Sequence, residues 1–181
     1  MKTLLSKWLI GLSALLLSLN LAAAEIIGKV IAVSDGDTIT VLAPGNRPTK
    51  VRLAGIDAPE RNQPFGQKSR QHLADLVFGK EVRVSVVDKD RYGRIVGIVY
   101  VPLKIPNGEV IVDVDLAQIE SGHAWAYRDY LKGLPAGKAG RYVAAEKDAK
   151  EQKQGLWTDK NPEPPWQFRK EQRSKRQSGA N

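Results

Sequence analysis

The 181-residue sequence predicts a β-barrel with helices added to it: five strands, then about three helices, most of them in the second half. Three observations predict this. Short apolar runs alternate with polar residues from Ile26 to Val101 and are broken by turn-forming residues, the period-2 signature of half-buried strands. Apolar residues fall at helical spacing from Gln67 to Phe78 and again beyond Asp115. With 42% hydrophobic and 27% charged residues, the chain can bury one core and still dissolve, which excludes low-complexity and multi-span membrane architectures.

Residues 1–24 stand apart from that domain. Lys2 and Lys7 precede an apolar run from Trp8 to Leu21 that ends in Ala22, Ala23 and Ala24, the layout of a cleavable secretory signal peptide. The run is shorter than the roughly 20 residues a spanning helix requires. The expected location is therefore secreted or periplasmic, and cleavage removes only Lys2 and Lys7 from a chain whose net charge is +8. The folded domain is expected over 25–160. Its first three strands are Ile26 to Val33, Thr38 to Leu42 and Lys50 to Ile56, separated by Ser34-Asp35-Gly36-Asp37 and Pro44-Gly45-Asn46. A helix from Gln67 to Phe78 stops at Gly79. Val82, Val84 and Val86 mark a fourth strand, and Ile95 to Val101 a fifth. Asp115 is placed to cap a helix that ends at Gly122, and Pro135 to open a longer one that Gly155 stops, with Glu146 and Lys150 as an i,i+4 pair. A five-strand meander interrupted by a helix suits a partly closed barrel of the oligonucleotide-binding (OB) type; an open sheet covered by helices is the alternative. Residues 161–181, with Pro162, Pro164 and Pro165 followed by Arg169, Lys170, Arg173, Lys175 and Arg176, are expected to form an extended linker and a disordered basic tail.

A basic surface fits nucleic acid, anionic lipid or acidic polysaccharide, so charge alone does not select a partner. The absence of cysteine excludes disulfides and thiolate chemistry. No G-x-x-x-x-G-K-[ST] run and no serine triad motif occurs. His72 and His123 lack partners at metal-ligand spacing and read as structural, as do Trp125 and Trp157; Trp166 is unassigned.

Four carboxylates crowd two short loops: Asp35 and Asp37 around Gly36, and Asp57 and Glu60 around Ala58-Pro59. Such oxygen donors suit a hard divalent cation such as Ca²⁺. Taken alone, Asp35-Gly36-Asp37 is equally a hairpin turn. Arg52, on the strand that delivers Asp57 and Glu60, and Arg94, after Tyr92-Gly93, add guanidinium forks that match phosphate oxygens. Cation, two arginines and a water-activating carboxylate together can stabilise a pentacovalent phosphodiester transition state.

Ser34-Asp35-Gly36-Asp37-Thr38, Arg52-Leu53-Ala54-Gly55-Ile56-Asp57-Ala58-Pro59-Glu60, Asp90-Arg91-Tyr92-Gly93-Arg94 and Gly155-Leu156-Trp157, in this order, resemble the staphylococcal nuclease (thermonuclease) family over about residues 26–158. The resemblance implies an OB-fold nuclease domain. It implies Ca²⁺ held by Asp37, Asp57 and the Ala58 carbonyl, with Asp35 behind them. It further implies Glu60 as general base or water-positioning residue, and Arg52 and Arg94 on the scissile phosphate. DNA and RNA, preferably single-stranded, are the implied substrates, cut at the bond to the 5′ oxygen to leave 3′-phosphates. Ala58 stands where the family's best-known member has threonine, and the loop Arg61 to Phe65 is shorter, which touches substrate preference rather than chemistry. Tyr92 and Tyr130 are candidate base-stacking residues; Tyr127 reads rather as a core residue. A monomer is expected. The competing class is a noncatalytic OB module that binds nucleic acid through its basic surface.

Overall fold

The structure, a computed structural model, describes residues 24–178. The expected signal peptide, residues 1–24, lies outside the described residues apart from Ala24. No helix among the described residues is long and apolar enough to cross a membrane.

Strands β1 (Glu25–Val33), β2 (Thr38–Ala43) and β3 (Arg47–Leu53) form an antiparallel meander. Their alternation sends Val30, Ile39, Val41, Val51 and Leu53 into the core, where all are fully buried. The two-residue strand β4 (Ile56–Asp57) and helix α1 (Gly66–Val77) follow, and the chain re-enters the sheet as β5 (Glu81–Lys89) against β1 and β6 (Ile95–Ile105) against β5. β6 then reaches β3, with Val51 opposite Ile95, Arg52 opposite Val96 and Leu53 opposite Gly97. This closes the ring β3-β2-β1-β5-β6 as an OB-type barrel of five strands. An odd number of strands cannot alternate direction all the way round, so one neighbouring pair must run parallel; here it is β3 and β6.

Beyond the five expected strands, β7 (Gly108–Asp113) hairpins onto the far end of β6, outside the ring. Asn107-Gly108 before the alternating Val110 and Val112 is its sequence signal. Helix α2 (Val114–Glu120) follows directly, and its N-cap is Asp113, whose carboxylate accepts the Leu116 N–H at 3.1 Å. The expected cap, Asp115, does something else. Its side chain is fully buried and accepts the Ala54 N–H at 2.7 Å and the Val99 N–H at 2.8 Å, tying the end of β3 to the middle of β6. Burial first, and Asp113 nearby, push the Asp115 carboxyl well above its usual range against the pull of those two donors.

The strand β8 (Trp125–Ala126) pairs with β4, and after a 3₁₀ turn at Arg128–Gly133 comes helix α3 (Lys138–Glu151). Glu146 of α3 is more than a surface partner of Lys150. It is buried, and also accepts the Ala126 N–H at 3.0 Å and Arg128 at 2.7 Å, so it anchors β8. Tyr142 of α3, fully buried, belongs to the same core as Leu73 and Val77 of α1 and Ile119 of α2.

The largest difference from the sequence reading lies in the expected tail. Past a 3₁₀ turn at Gly155–Thr158, residues Pro165–Ser178 form helix α4. Pro165 occupies the first helical position, where a fixed φ and a missing N–H cost nothing, so the proline cluster starts a helix instead of continuing a linker. Trp166 then stacks on Tyr127, with centroids 5.3 Å apart and planes 3° from parallel, and meets Trp125 edge-on at 6.3 Å. That contact supplies the apolar anchorage that composition alone did not disclose.

Replacing Asp115 with alanine leaves two buried N–H groups without an acceptor, each worth about 1–3 kcal/mol. Asp115→Ala is therefore expected to lose at least about 2 kcal/mol of unfolding free energy in urea titrations. A loss below the range of ordinary surface substitutions would show that Asp115 does not hold the barrel closed.

Candidate active site

Closure of the barrel sets Arg52 on β3 beside Val96 on β6, two residues after Arg94. From the outer face of β3 the Arg52 fork spans two carboxylates: Nη1 donates to Asp37 Oδ1 and Nη2 to Asp57 Oδ1, each at 2.9 Å. Nη2 also reaches the Ile56 carbonyl at 3.3 Å. The other Asp37 oxygen accepts the Ala58 N–H at 3.1 Å, and Thr38 Oγ1 donates to Oδ1 at 2.9 Å. Asp57 has no exposed side-chain surface, whereas the Arg52 side chain keeps 18% of its own.

The turn that delivers Asp37 is an Asx turn, with the Asp37 N–H donating to Asp35 Oδ1 at 3.1 Å. Asp35 thus sits behind Asp37. Its burial, and then the Asp37 charge, raise its carboxyl to about 7. Gly36 is required by close approach, since a Cβ there would lie 1.8 Å from Ser69 Oγ and 2.7 Å from the Ala58 Cβ. Burial and Asp37 push the Asp57 carboxyl up, while Arg169 and Arg52 pull it down.

Glu60 follows Ala58-Pro59 at the head of the short loop. Its N–H donates to Gln63 Oε1 at 3.1 Å, and the Gln63 N–H donates back to the Glu60 carbonyl at 2.9 Å. Gly66 packs the start of α1 onto this loop, where a Cβ would lie 1.8 Å from the Glu60 carbonyl oxygen. The Glu60 side chain keeps 35% of its surface.

Arg94 ends an Asx-type loop. Asp90 accepts the Tyr92 and Arg94 N–H groups, each at 2.9 Å, and Arg94 Nε at 2.7 Å. Among the described residues no hydrogen bond engages the Arg94 Nη groups. Arg52, Arg94, Tyr92, Tyr127 and Tyr130 line one cleft of about 200 Å³. Tyr92 and Tyr130 are exposed there, while one face of Tyr127 is covered by Trp166.

The sequence reading missed two neighbours of the candidate site. Gln118 of α2, fully buried, donates to the Gly36 carbonyl at 2.6 Å and pairs with His72 Nδ1, so it props the Asp35–Asp37 turn from below. His72 in turn stacks on His123 at 4.3 Å. Only helix register, placing Gln118 on the inner side with Ile119, could have flagged it. The second is Arg169 of α4. Nη2 donates to Asp57 Oδ2 at 2.7 Å, and Nη1 to Asp57 Oδ1 at 3.1 Å and to Glu60 Oε1 at 2.7 Å. It carried no motif signal, because its partners lie more than a hundred residues away.

No three His, Cys, Asp or Glu side chains converge on one point to hold a metal ion among the described residues. Asp37 and Asp57, brought together on Arg52, and the backbone carbonyl of Ala58, whose N–H donates to Asp37, offer hard oxygens, and the Arg169 guanidinium already places a cation against Asp57. That chemistry fits a hard divalent ion completed by water.

A sequence model described as staphylococcal nuclease homologue matches residues 50–159. The chain belongs to the staphylococcal nuclease family. It is 46% identical over 151 residues to a micrococcal nuclease of Shigella flexneri, covering 82% of this chain and 83% of that protein. It is 41% identical to an uncharacterized endonuclease of Haemophilus influenzae, over 80% and 74% of the two chains. Protein ParB of Escherichia coli is 38% identical over 92% of each chain. The matched segment contains Arg52, Asp57, Glu60 and Arg94; Asp37 precedes it and Arg169 lies beyond it.

The stacked histidines under this nuclease-family site generate a pH prediction. Burial first, and His72 second, lower the His123 imidazole from 6.5 to about 4. Between those values the unfolded chain binds a proton that the folded chain does not, so stability falls as pH drops from 6.5 towards 4 and is unaffected by this group above 6.5. Urea midpoints measured across that window should fall less steeply in His123→Gln than in the wild type; equal slopes would exclude His123 as a source.

Proposed function

We propose that this family member is an exported Ca²⁺-dependent nuclease that hydrolyses phosphodiester bonds in DNA and RNA, acts on single strands more readily than on duplex, and leaves 3′-phosphate ends. The observation that carries the reading is the Arg52 fork clamped between Asp37 and Asp57, with Arg94 brought to the same cleft by the β3–β6 ladder. The names of the relatives, micrococcal nuclease and endonuclease, support it.

In this reading the scissile phosphate enters the cleft, and Arg52 and Arg94 donate to its non-bridging oxygens. Both arginines gain strength as charge builds on those oxygens in the transition state, which is where stabilisation accelerates the reaction. Asp57, Asp37 and the Ala58 carbonyl would hold Ca²⁺, which supplies charge neutralisation at the phosphate when bound. Glu60 accepts a proton from the attacking water. The water oxygen bonds to phosphorus, the bond from phosphorus to the 5′ oxygen breaks, and that oxygen takes a proton from a solvent water and leaves as a hydroxyl, while Glu60 returns its proton to solvent. Tyr92 and Tyr130, exposed at the cleft, offer faces on which bases stack without sequence readout, in keeping with single-stranded substrates. Export rests on the charged, apolar and alanine-rich pattern of residues 1–24, and a monomer on the compact single barrel.

Two outcomes test the reading. Glu60→Gln should keep the circular dichroism of the wild type while kcat on denatured DNA falls by about 100-fold or more; an unchanged kcat would remove Glu60 from its role. Excess chelator should abolish release of acid-soluble nucleotides and added Ca²⁺ should restore it, whereas activity that survives chelation and responds only to salt would refute the cation requirement.

A further inference from the structure

Helix α4 puts a positive charge where the proposed reaction needs its carboxylates free. The Arg169 fork takes both oxygens of Asp57 and one oxygen of Glu60, with three hydrogen bonds between 2.7 and 3.1 Å. Bidentate guanidinium–carboxylate pairs are among the stronger ion pairs, and this one rests on a carboxylate with no exposed surface. While it persists, both Asp57 oxygens are occupied by Arg169, and a donor on Glu60 Oε1 draws charge from the carboxylate that would take a proton from water.

The helix is held there by contacts unrelated to the carboxylates. Trp166, three residues before Arg169 and therefore close to the same helical face, stacks on Tyr127 and meets Trp125. Just upstream, Gln63 Nε2 of the Glu60 loop donates to the Glu163 carbonyl at 2.6 Å. The strap thus grips the site at three places: the short loop, the aromatic wall and the carboxylates. Lys170, Arg173, Lys175 and Arg176 of the same helix are exposed.

We propose that α4 is an autoinhibitory strap, in which Arg169 competes with the divalent cation for Asp57 and with water for Glu60, so that loading the site requires the strap to release. The inference rests on the cation reading of the preceding subsection. Its energetic form is simple: when only a fraction of molecules has the strap open, the apparent cation affinity is reduced by that fraction. Residues 165–178 lie outside the segment matched by the family model.

The test is Ca²⁺ titration of the full chain by calorimetry, with tryptophan emission followed in parallel, for the wild type, Arg169→Ala and Trp166→Ala. Arg169→Ala removes a repelling charge as well as the strap contact. Trp166→Ala loosens the strap while leaving every charge at the site in place, and so decides the matter even where Arg169→Ala folds poorly. The expected result is an apparent Kd tightened about tenfold in Arg169→Ala and shifted in the same direction in Trp166→Ala. In the wild type, Ca²⁺ should change tryptophan emission as Trp166 leaves Tyr127, and in Arg169→Ala most of that change should precede the ion. Wild-type affinity in Trp166→Ala, whatever Arg169→Ala does, overturns the strap and leaves the cation reading standing. Absence of Ca²⁺ binding in all three proteins overturns both.

Discussion

The short parallel ladder between β3 and β6 is the constraint from which the site follows. Five strands cannot close a ring with every neighbour antiparallel, and the one parallel seam falls where Arg52 leaves its strand. Because Arg52 faces outward while Val51 and Leu53 face the core, closing the seam turns its guanidinium toward the loop that ends in Arg94. Asp115 secures the same seam from inside, accepting one N–H from each side. A slip of one residue in this ladder would exchange the faces of Arg52 and its neighbours and put a charge into the barrel.

Around that seam the site is a balance of like and opposite charges. Asp37 and Asp57 share one guanidinium, and their mutual repulsion is tolerable because Arg52 lies between them and Ala58 donates to Asp37 from behind. Asp57 remains the most costly group of the set, fully buried and next to another carboxylate. A second cation against it is therefore electrostatically favourable, and in the structure Arg169 provides it. The same field that recruits Arg169 is the field that would recruit a divalent ion, which makes competition between them a consequence of the site's charge.

Beneath the charged layer lies a support of hydrogen bonds and stacked rings. Gln118, His72, His123 and Ser69 form a hydrogen-bonded and stacked support under Gly36, with Ser69 Oγ donating to the His123 carbonyl at 2.7 Å. Its function is positional: Gly36 has no side chain to hold it, so its carbonyl is fixed by Gln118. The turn therefore presents Asp37 from a rigid base rather than from a free loop.

Local rules in the sequence were enough for the five barrel strands and for α1 and α3 within a few residues of their ends, and they singled out Asp37, Arg52, Asp57, Glu60 and Arg94 as candidates, because each lies within a turn, an alternating run or a short motif. Residues whose role depends on distant partners were not legible. Asp115 fits an N-cap by local rules, yet packing buries it and hands the cap to Asp113. Gln118 is a polar residue on a short helix until Gly36 arrives 82 positions away. The clearest case is the C-terminal segment: proline, charge and the lack of an apolar stripe favour a free tail, and only Tyr127, Trp125, Asp57 and Glu60, assembled by the barrel, provide the surface on which Trp166 and Arg169 dock. Sequence by itself determined which segments are regular and which charged side chains cluster in turns and short motifs, since those depend on neighbours along the chain. Tertiary structure decided which charges meet, since attraction between groups a hundred residues apart acts only after the core has closed.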